Sequence, residues 1–245
     1  MGSVTEDVAA VVLAGGFGTR VKHLLGDLPK PMAPVAGRPF VEWVLRYLSK
    51  QGIHRTVLST GYRAETVEKH FRKSLVPGMA VDFAVEAKPL GTAGGFLNAV
   101  RLSSAKAAVW IVLNGDSLVF ASLPAAIAAL SDPEISGAIV GRTVPDASRY
   151  GTLVANPAGE LVKFDEKRPG KGVINSGIYV LRQSLLADFP ARIPLSFEQG
   201  VFPELIRRGR RLRVMQTEAP FLDIGTPETL PQAEEFIRHN AGQFA

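Results

Sequence analysis

The segment VAAVVLA, residues 8–14, constrains the fold more than any other part of the chain. It contains no polar residue, it is made of alanine, valine and leucine, and glycines close it. Such a short apolar run is typical of a strand that is buried on both faces of a sheet. We therefore expect a sheet with helices packed against both of its sides, and a glycine loop at the carboxyl end of this strand.

Segments of alternating character follow this strand through the first part of the chain. Patterns typical of helices occupy residues 38–52, 63–74, 91–103 and 123–132, and patterns typical of strands occupy residues 55–61, 80–86, 107–117 and 136–144. Strands that alternate with helices at this spacing predict an α/β fold, with a mostly parallel, Rossmann-like sheet flanked by helices.

The second part of the chain changes character after about residue 145. Residues 150–167 predict a strand pair around an Asn-Pro-Ala-Gly turn. A strand (172–182), a helix (196–209), a strand (212–217) and a C-terminal helix (226–240) are predicted after it. Thr226 is the expected N-cap of the last helix, with Pro227 in its first turn. We predict a single domain over residues 1–245, with an inserted portion within about 146–245.

Composition removes several classes of chemistry. The chain has no cysteine, which excludes disulfides, thiolate zinc sites and cysteine nucleophiles, and its four histidines are isolated. The N-terminus carries acids where a signal peptide is basic, and its apolar run is too short to span a membrane, so a cytoplasmic protein without a membrane partner is expected. The net charge of the chain is +5. The densest basic stretch of the sequence, residues 206–214, is interpreted as a solvated helix end and turn, with a nucleic-acid patch as the less favoured alternative.

The glycine loop after the first strand indicates an anion site. Ligands of open α/β sheets bind at the carboxyl ends of the strands. Gly15, Gly16 and Gly18 allow positive φ and close approach, and successive amides can form an anion nest. Arg20 and Lys30 add a planar fork and a point charge for phosphate oxygens. The loop lacks the third glycine of the dinucleotide fingerprint and the lysine of a Walker A loop, so both of these familiar motifs fail.

These residues carry a resemblance to a known family. LAGGFGTR and PKPM resemble the signature G-G-x-G-T-R…P-K-P of the sugar-1-phosphate nucleotidyltransferases. PLGTAGG, LNGDS, RYGTL, FDEK, INSGIYVL and FLDIGTPE follow in the family's order, so the resemblance covers nearly the whole chain. It implies a GT-A-like fold and an enzyme that transfers a nucleoside monophosphate from a nucleoside triphosphate to a sugar 1-phosphate, releasing pyrophosphate.

Within the family, KPMAPVAGRPF, SRYGTL and SFEQGVFPELI are most similar to the guanylyltransferases that act on a heptose 1-phosphate. Mannose 1-phosphate guanylyltransferases and glucose 1-phosphate thymidylyl- or uridylyltransferases are the alternatives, and a non-catalytic regulatory relative is a third. The resemblance implies that about residues 1–145 bind the nucleotide and about 146–245 bind the sugar and end in the C-terminal helix. A homo-oligomer is compatible with the sequence, and no nucleic-acid partner is expected.

The resemblance also implies a role for individual residues. Nucleotide contacts are expected from Leu13, Ala14, Gly15, Gly16, Gly18, Thr19, Arg20, Lys30, Glu86, Pro89, Gly91, Thr92 and Gly115. Sugar contacts are expected from Asn114, Gly151, Glu166, Lys167, Asn175 and Gly177. The catalytic set is Arg20, Lys30, Asp116 and Lys167, and a Mg²⁺ ion is expected on Asp116 and Asp223.

The chemistry of this reaction suits such a set. Both reactants are anions, so the protein must mainly neutralise charge and align them, which agrees with the lack of a His-Asp or Cys-His constellation. Glu86 stands where thymidylyl- and uridylyl-transferring relatives often carry glutamine. An ionised carboxylate only accepts hydrogen bonds, and guanine offers two adjacent donors, so Glu86 favours GTP. The sequence reads EKRP where many relatives read Glu-Lys-Pro, which leaves Lys167 in place but alters its loop.

Overall fold

A computed structural model describes residues 7–73, 76–165 and 169–244. Its strands are β1 (Val8–Ala14), β2 (Pro34–Val35), β3 (Arg38–Pro39), β4 (Arg55–Thr60), β5 (Ala80–Val85), β6 (Val109–Asn114), β7 (Ser117–Val119), β8 (Ile135–Val144), β9 (Thr152–Ala155), β10 (Leu161–Asp165), β11 (Gly172–Arg182), β12 (Arg211–Thr217) and β13 (Phe221–Asp223). Its α-helices are α1 (Lys22–Leu25), α2 (Phe40–Lys50), α3 (Ala64–Phe71), α4 (Thr92–Leu102), α5 (Leu123–Ala128), α6 (Phe202–Arg207) and α7 (Ala233–His239).

One large sheet joins both parts of the chain. Strands β5, β4, β1 and β6 lie side by side in that order and are parallel. Strand β11 continues the sheet antiparallel to β6, and β8 and then β12 follow on its far side. The antiparallel pair of β9 and β10 also joins through β11. The predicted α/β fold is thus present, and the antiparallel pairings are contributed by strands of the second part.

Helices cover the sheet on both faces, as the apolar run of β1 predicts. Ala10 and Val12 face a core cluster that α2, α3, α5 and α7 complete, whereas Ala9 and Val11 face a second cluster with α4 and α6. Each fully buried valine side chain contributes roughly 1.5–3 kcal/mol to folding, and each alanine methyl group contributes less. This double burial fixes β1 at the centre of the molecule and leaves only its carboxyl end facing a cleft.

Helix α2 carries a buried carboxylate with cationic partners. Glu42 is 2% exposed, and it accepts hydrogen bonds from Arg38 and Arg46 at 2.7 and 3.0 Å. His70 of α3 lies 3.0 Å from its other oxygen. Burial by itself raises the pKa of Glu42, but hydrogen bonds from His70, Arg46 and Arg38 outweigh it and leave the pKa below its usual value. This cluster ties α2 to α3 on the first face of the sheet.

The predicted start of the C-terminal helix is wrong. Helix α7 begins at Ala233, and Thr226 instead caps an isolated turn, in which its hydroxyl oxygen accepts a hydrogen bond from the Thr229 amide at 3.4 Å. Pro231 explains the difference, because a proline at the sixth position of a helix has no amide hydrogen for the helical ladder. The chain passes through a short 3₁₀ turn, Leu230–Gln232, before α7 begins.

The basic stretch at residues 206–214 forms the end of α6, a turn and the start of β12, as interpreted from the sequence. Four of its five arginines are paired with acids: Arg208, for example, lies 2.6 Å from Glu204 and 3.3 Å from Asp188. The fifth, Arg213, donates to the Ala158 carbonyl. Within the described ranges, none of the helices has the length and apolar character needed to cross a membrane.

Candidate active site

The carboxyl ends of β1 and β6 open into a cleft of about 580 Å³. The two strands are neighbours in the sheet, with Leu13 opposite Asn114, so the segments that follow them meet at one edge. The cleft is lined by Leu13, Gly15, Gly16, Phe17, Gly18, Thr19, Arg20, Lys30, Pro31, Glu86, Pro89, Gly91, Thr92, Asn114, Asp116, Ser117, Tyr150, Asn175, Ser176, Phe221, Asp223 and Gly225.

The glycine loop forms one wall of this cleft. Of its three glycines, Gly18 has a positive φ of 59°, and a Cβ there would lie 2.7 Å from the Cβ of Lys30. Gly15 and Gly16 do not have positive φ, so part of that expectation is wrong. Arg20 is exposed at the end of the loop and has no hydrogen-bond or ion-pair partner among the described residues. Its guanidinium is therefore available to an anion in the cleft.

The two predicted metal-ligating aspartates lie side by side, although more than a hundred residues separate them in the chain. Asp116 directly precedes β7, and Asp223 ends β13, which pairs with β7 so that Asp223 lies opposite Ser117. The amide of Ile224 donates to the Asp116 carbonyl at 3.0 Å and closes this pairing. A short antiparallel ladder thus brings both carboxylates to the same edge of the cleft.

Lys30 lies between these carboxylates. Its Nζ is 2.7 Å from an oxygen of Asp116 and 3.6 Å from an oxygen of Asp223. The Lys30 side chain is 11% exposed, whereas Asp116 and Asp223 are 34% and 25% exposed. Burial and the charge of Asp116 raise the pKa of Asp223, and Lys30 opposes that rise. The sequence predicted Lys30 as a phosphate ligand but gave no sign of this ion-paired position.

The aspartate pair suits a divalent cation. Mg²⁺ is usually held by one or two protein carboxylates together with substrate phosphate oxygens and water. Over the part of the chain that the structure describes, no third acidic, histidine or cysteine side chain joins Asp116 and Asp223 in a group that could hold a metal ion. Any cation on this pair would therefore take its remaining oxygen ligands from substrate and water.

Glu86 directly follows β5. It lies on the side of the glycine loop opposite to Asn114, which ends β6. One of its carboxylate oxygens accepts a hydrogen bond from the Ser59 hydroxyl at 3.0 Å, and the other accepts one from the Leu90 amide at 3.1 Å. The buried Ser59 hydroxyl and a backbone amide thus fix the orientation of Glu86 at the cleft wall. Each carboxylate oxygen keeps a free lone pair for a further donor.

Gly91 is a position where only glycine fits. Its φ is 79° and its ψ is 167°, a combination that residues with a Cβ avoid. A Cβ there would also lie 2.5 Å from the carbonyl oxygen of Leu195. This close approach lets the loop before α4 pack on the segment at residue 195, and it places Thr92, the first residue of α4, at the cleft.

Asn114 and Asn175 form the far side of the cleft. Asn114 ends β6, and Asn175 lies on β11, where the register with β8 shifts between Asn175 and Ile178. A Cβ on Gly177 would clash with Asn114 Nδ2, so the glycine leaves room for this amide. The rings of Tyr150 and Phe221 meet edge to face at 5.7 Å and add an apolar surface nearby.

Most of the predicted site residues line the cleft, but some do not. Ala14, Gly115, Gly151 and Gly177 do not line it, and the predicted sugar ligands Glu166 and Lys167 lie outside the described residues. The sequence predictions missed Phe17, Pro31, Ser117, Tyr150, Ser176, Phe221 and Gly225. Several of these, including Tyr150 and Phe221, stand inside the quoted motifs next to assigned residues. Their position in the motifs could therefore have identified them as site residues.

Comparison with known proteins identifies the class. A family model described as nucleotidyl transferase matches residues 9–240, and the chain belongs to this family. The predicted class of enzyme, a sugar-1-phosphate nucleotidyltransferase, is thereby confirmed. Enzymes of this family generally use a divalent metal ion.

Individual relatives narrow the similarity. The chain is 34% identical to the D-glycero-alpha-D-manno-heptose 1-phosphate guanylyltransferase of Campylobacter jejuni, over 89% of this chain and 95% of the relative. It is 32% identical to the mannose-1-phosphate guanylyltransferase of Mycobacterium tuberculosis, over 97% of this chain and 65% of that relative. The chain is also similar to a crystal structure of HddC from Yersinia pseudotuberculosis complexed with GMP-PN, with a TM-score of 0.81 and 36% sequence identity. The alignment covers 93% of this chain and 98% of the HddC chain.

Proposed function

We propose that this enzyme transfers GMP from GTP to D-glycero-α-D-manno-heptose 1-phosphate and releases pyrophosphate. The product would be a GDP-heptose for a bacterial surface glycan. The observation that carries the proposal is the arrangement of the cleft: Glu86 on one side, Asn175 on the other, and Lys30 with its aspartates between them. The similarity to a heptose 1-phosphate guanylyltransferase over 95% of that protein supports the choice of sugar.

The base side of the cleft favours guanine. Guanine presents a ring N–H and an exocyclic amine on one edge, and an ionised carboxylate can accept both hydrogen bonds. Because Ser59 and the Leu90 amide hold the Glu86 carboxylate from behind, its free lone pairs are already oriented before a nucleotide binds. Gly91 and Thr92 lie beside it at the same wall of the cleft.

The reaction is a displacement at the α-phosphorus of GTP. An oxygen of the sugar phosphate forms a bond to this phosphorus, and the bond from the phosphorus to the oxygen of the leaving pyrophosphate breaks. The attacking oxygen is already ionised, so no side chain needs to remove a proton. The proposed contribution of Arg20 and Lys30 is to offset charge on the triphosphate and on the departing pyrophosphate.

The proposal includes a Mg²⁺ ion held by Asp116 and Asp223. When bound, it would supply positive charge to the phosphate oxygens, and the two carboxylates are the side chains that would hold it. The Lys30 ammonium then needs to share the carboxylates or turn toward the phosphates, which its flexible stem permits.

The proposal also assigns parts of the chain. About residues 1–145 bind the nucleotide, and about 146–245 bind the sugar 1-phosphate. The residues assigned to the sugar are Asn114, Gly151, Glu166, Lys167, Asn175 and Gly177. Cytoplasmic GTP as donor favours a cytoplasmic enzyme, and a homo-oligomer remains part of the proposal.

Pyrophosphate release tests the proposed function. We expect turnover with GTP and the heptose 1-phosphate, and a much lower kcat/KM with ATP, UTP or dTTP and with mannose or glucose 1-phosphate. Asp116→Asn and Asp223→Asn should each lower kcat severely without unfolding the protein, and Asp132→Asn, outside the cleft, is the matched control. A preference for mannose 1-phosphate, which the 32% identical mannose-1-phosphate guanylyltransferase makes the second candidate, would overturn the choice of sugar.

A further inference from the structure

The start of α4, which carries Thr92, is packed on the segment that begins at Leu195. The amide of Leu195 donates to the Leu90 carbonyl at 2.8 Å, and the Leu195 carbonyl accepts from the Ala93 amide at 3.0 Å. The Phe197 amide then donates to the Thr92 hydroxyl at 3.0 Å. A threonine hydroxyl can accept this hydrogen bond and still donate its own hydrogen to a further acceptor.

Glu198 provides this acceptor. One of its carboxylate oxygens lies 2.6 Å from the Ser196 hydroxyl and 3.4 Å from the Thr92 hydroxyl. Its other oxygen accepts from the Tyr179 hydroxyl at 3.1 Å. Three hydroxyl groups from separate segments thus converge on a single carboxylate. Glu198 does not itself line the cleft, so its influence on substrates has to pass through these neighbours.

Tyr179 connects Glu198 to the far side of the cleft. Its hydroxyl oxygen accepts a hydrogen bond from Asn175 Nδ2 at 2.8 Å, and its ring is held between Phe197 and Phe202 at centroid distances of 4.8 and 4.9 Å. Tyr179 is 1% exposed. Burial and the charge of Glu198 raise its pKa well above the usual value, so it keeps its hydrogen and donates it to the carboxylate.

We propose that Glu198 is a positioning residue that holds Thr92 directly and Asn175 through Tyr179. It thereby fixes the position of the Thr92 side of the cleft relative to the Asn175 side. The donors all point toward the carboxylate: Asn175 to Tyr179, and Tyr179 to Glu198. Hydrogen bonds aligned in this way polarise and strengthen one another in a low-dielectric interior. The names of the two sides rest on the proposed function, in which Thr92 faces the nucleotide and Asn175 the sugar 1-phosphate.

Variants of the network should separate the two Michaelis constants. Tyr179→Phe keeps the packed ring but removes the acceptor of Asn175, so we expect the KM for the sugar 1-phosphate to rise about tenfold and the KM for GTP to stay within about twofold. Thr92→Val should raise the KM for GTP about tenfold and leave the KM for the sugar 1-phosphate within about twofold. Glu198→Gln keeps the side-chain volume but loses the charge that orients both arms, so both KM values should rise.

Tyr47→Phe is the matched control, because Tyr47 is also a fully buried tyrosine, its hydroxyl donates to the Ala121 carbonyl, and it lies outside the cleft. The assay is steady-state pyrophosphate release with GTP and either D-glycero-α-D-manno-heptose or mannose 1-phosphate. Unchanged KM values in Glu198→Gln, or the same KM change in Tyr47→Phe as in Tyr179→Phe, would overturn the positioning role. A wild-type enzyme inactive with every sugar 1-phosphate would instead overturn the proposed function and, with it, this inference.

Discussion

Replacement of Lys30 by methionine removes the ammonium group between Asp116 and Asp223 while keeping a side chain of similar length. At an effective dielectric constant of about 20, unit charges attract by roughly 6 kcal/mol at the 2.7 Å distance to Asp116 and by roughly 5 kcal/mol at the 3.6 Å distance to Asp223. Desolvation and solvent screening cancel most of this attraction, because the carboxylates are 34% and 25% exposed. We expect a net loss of about 2 kcal/mol, between the values for exposed and buried ion pairs.

This loss should depend on Mg²⁺. Without the ammonium, the two carboxylates repel each other, and a divalent cation relieves that repulsion. Mg²⁺ should therefore raise the free energy of unfolding of Lys30→Met more than that of the wild type. Turnover should nevertheless fall by about 10²–10³-fold, since a charge directed at the reacting phosphates is missing.

Urea unfolding in EDTA and in MgCl₂ measures the change in the free energy of unfolding. A separate assay of pyrophosphate release measures the change in turnover. Lys50→Met, at the exposed end of α2, carries the same change of net charge and should leave both quantities nearly unaltered. A Lys30→Met protein as stable as the wild type in EDTA would refute the ion-paired position of Lys30. A kcat within about threefold of the wild type would refute its role at the phosphates.

Other predictions concern the base wall, the loop before α4 and the buried carboxylate of α2. Glu86→Gln should lower the preference for GTP over dTTP by about tenfold or more in kcat/KM, and Ser59→Ala, which only frees the carboxylate, should lower it less. Gly91→Ala should cost at least about 2 kcal/mol of stability in urea unfolding, more than Gly209→Ala, whose φ is also positive but whose Cβ would meet no atom within 4 Å. Glu42→Gln should cost about 3 kcal/mol near neutral pH. Because the folded-state pKa of Glu42 lies below its usual 4.5, its contribution is present above pH 4.5 and is lost as the pH falls through the folded-state pKa, so wild type and variant should converge in acid-unfolding curves.

The longer strands and the glycine loop could be predicted from sequence because their signals are local, whereas the short strands β2, β3, β7 and β13 were not predicted as separate elements. The apolar run of β1 reports its burial on both faces, and the glycines that follow it mark where the chain turns into the cleft. Asp116 and Asp223 could be assigned from family motifs, and β7 and β13 supply the pairing that brings them together. Thr226 failed as a helix cap because a favourable cap residue carries no information about Pro231, five residues later, which has no amide hydrogen for the helical ladder.

The contacts between distant side chains could not be predicted in the same way. The position of Lys30 depends on the meeting of three segments, at residues 30, 116 and 223, whose separation in space no local pattern encodes. Glu198 and Tyr179 read as ordinary residues of a helix and a strand, and only the packed structure shows that their polar atoms meet.

Guanine recognition by Glu86 is tested by the ratio of kcat/KM for GTP to that for dTTP with D-glycero-α-D-manno-heptose 1-phosphate as acceptor, measured for the wild type and Glu86→Gln in parallel. We expect a strong preference for GTP in the wild type and a marked loss of that preference in the variant. Equal kcat/KM for the two nucleotides in the wild type, or a GTP preference that survives in Glu86→Gln, would contradict this role of Glu86.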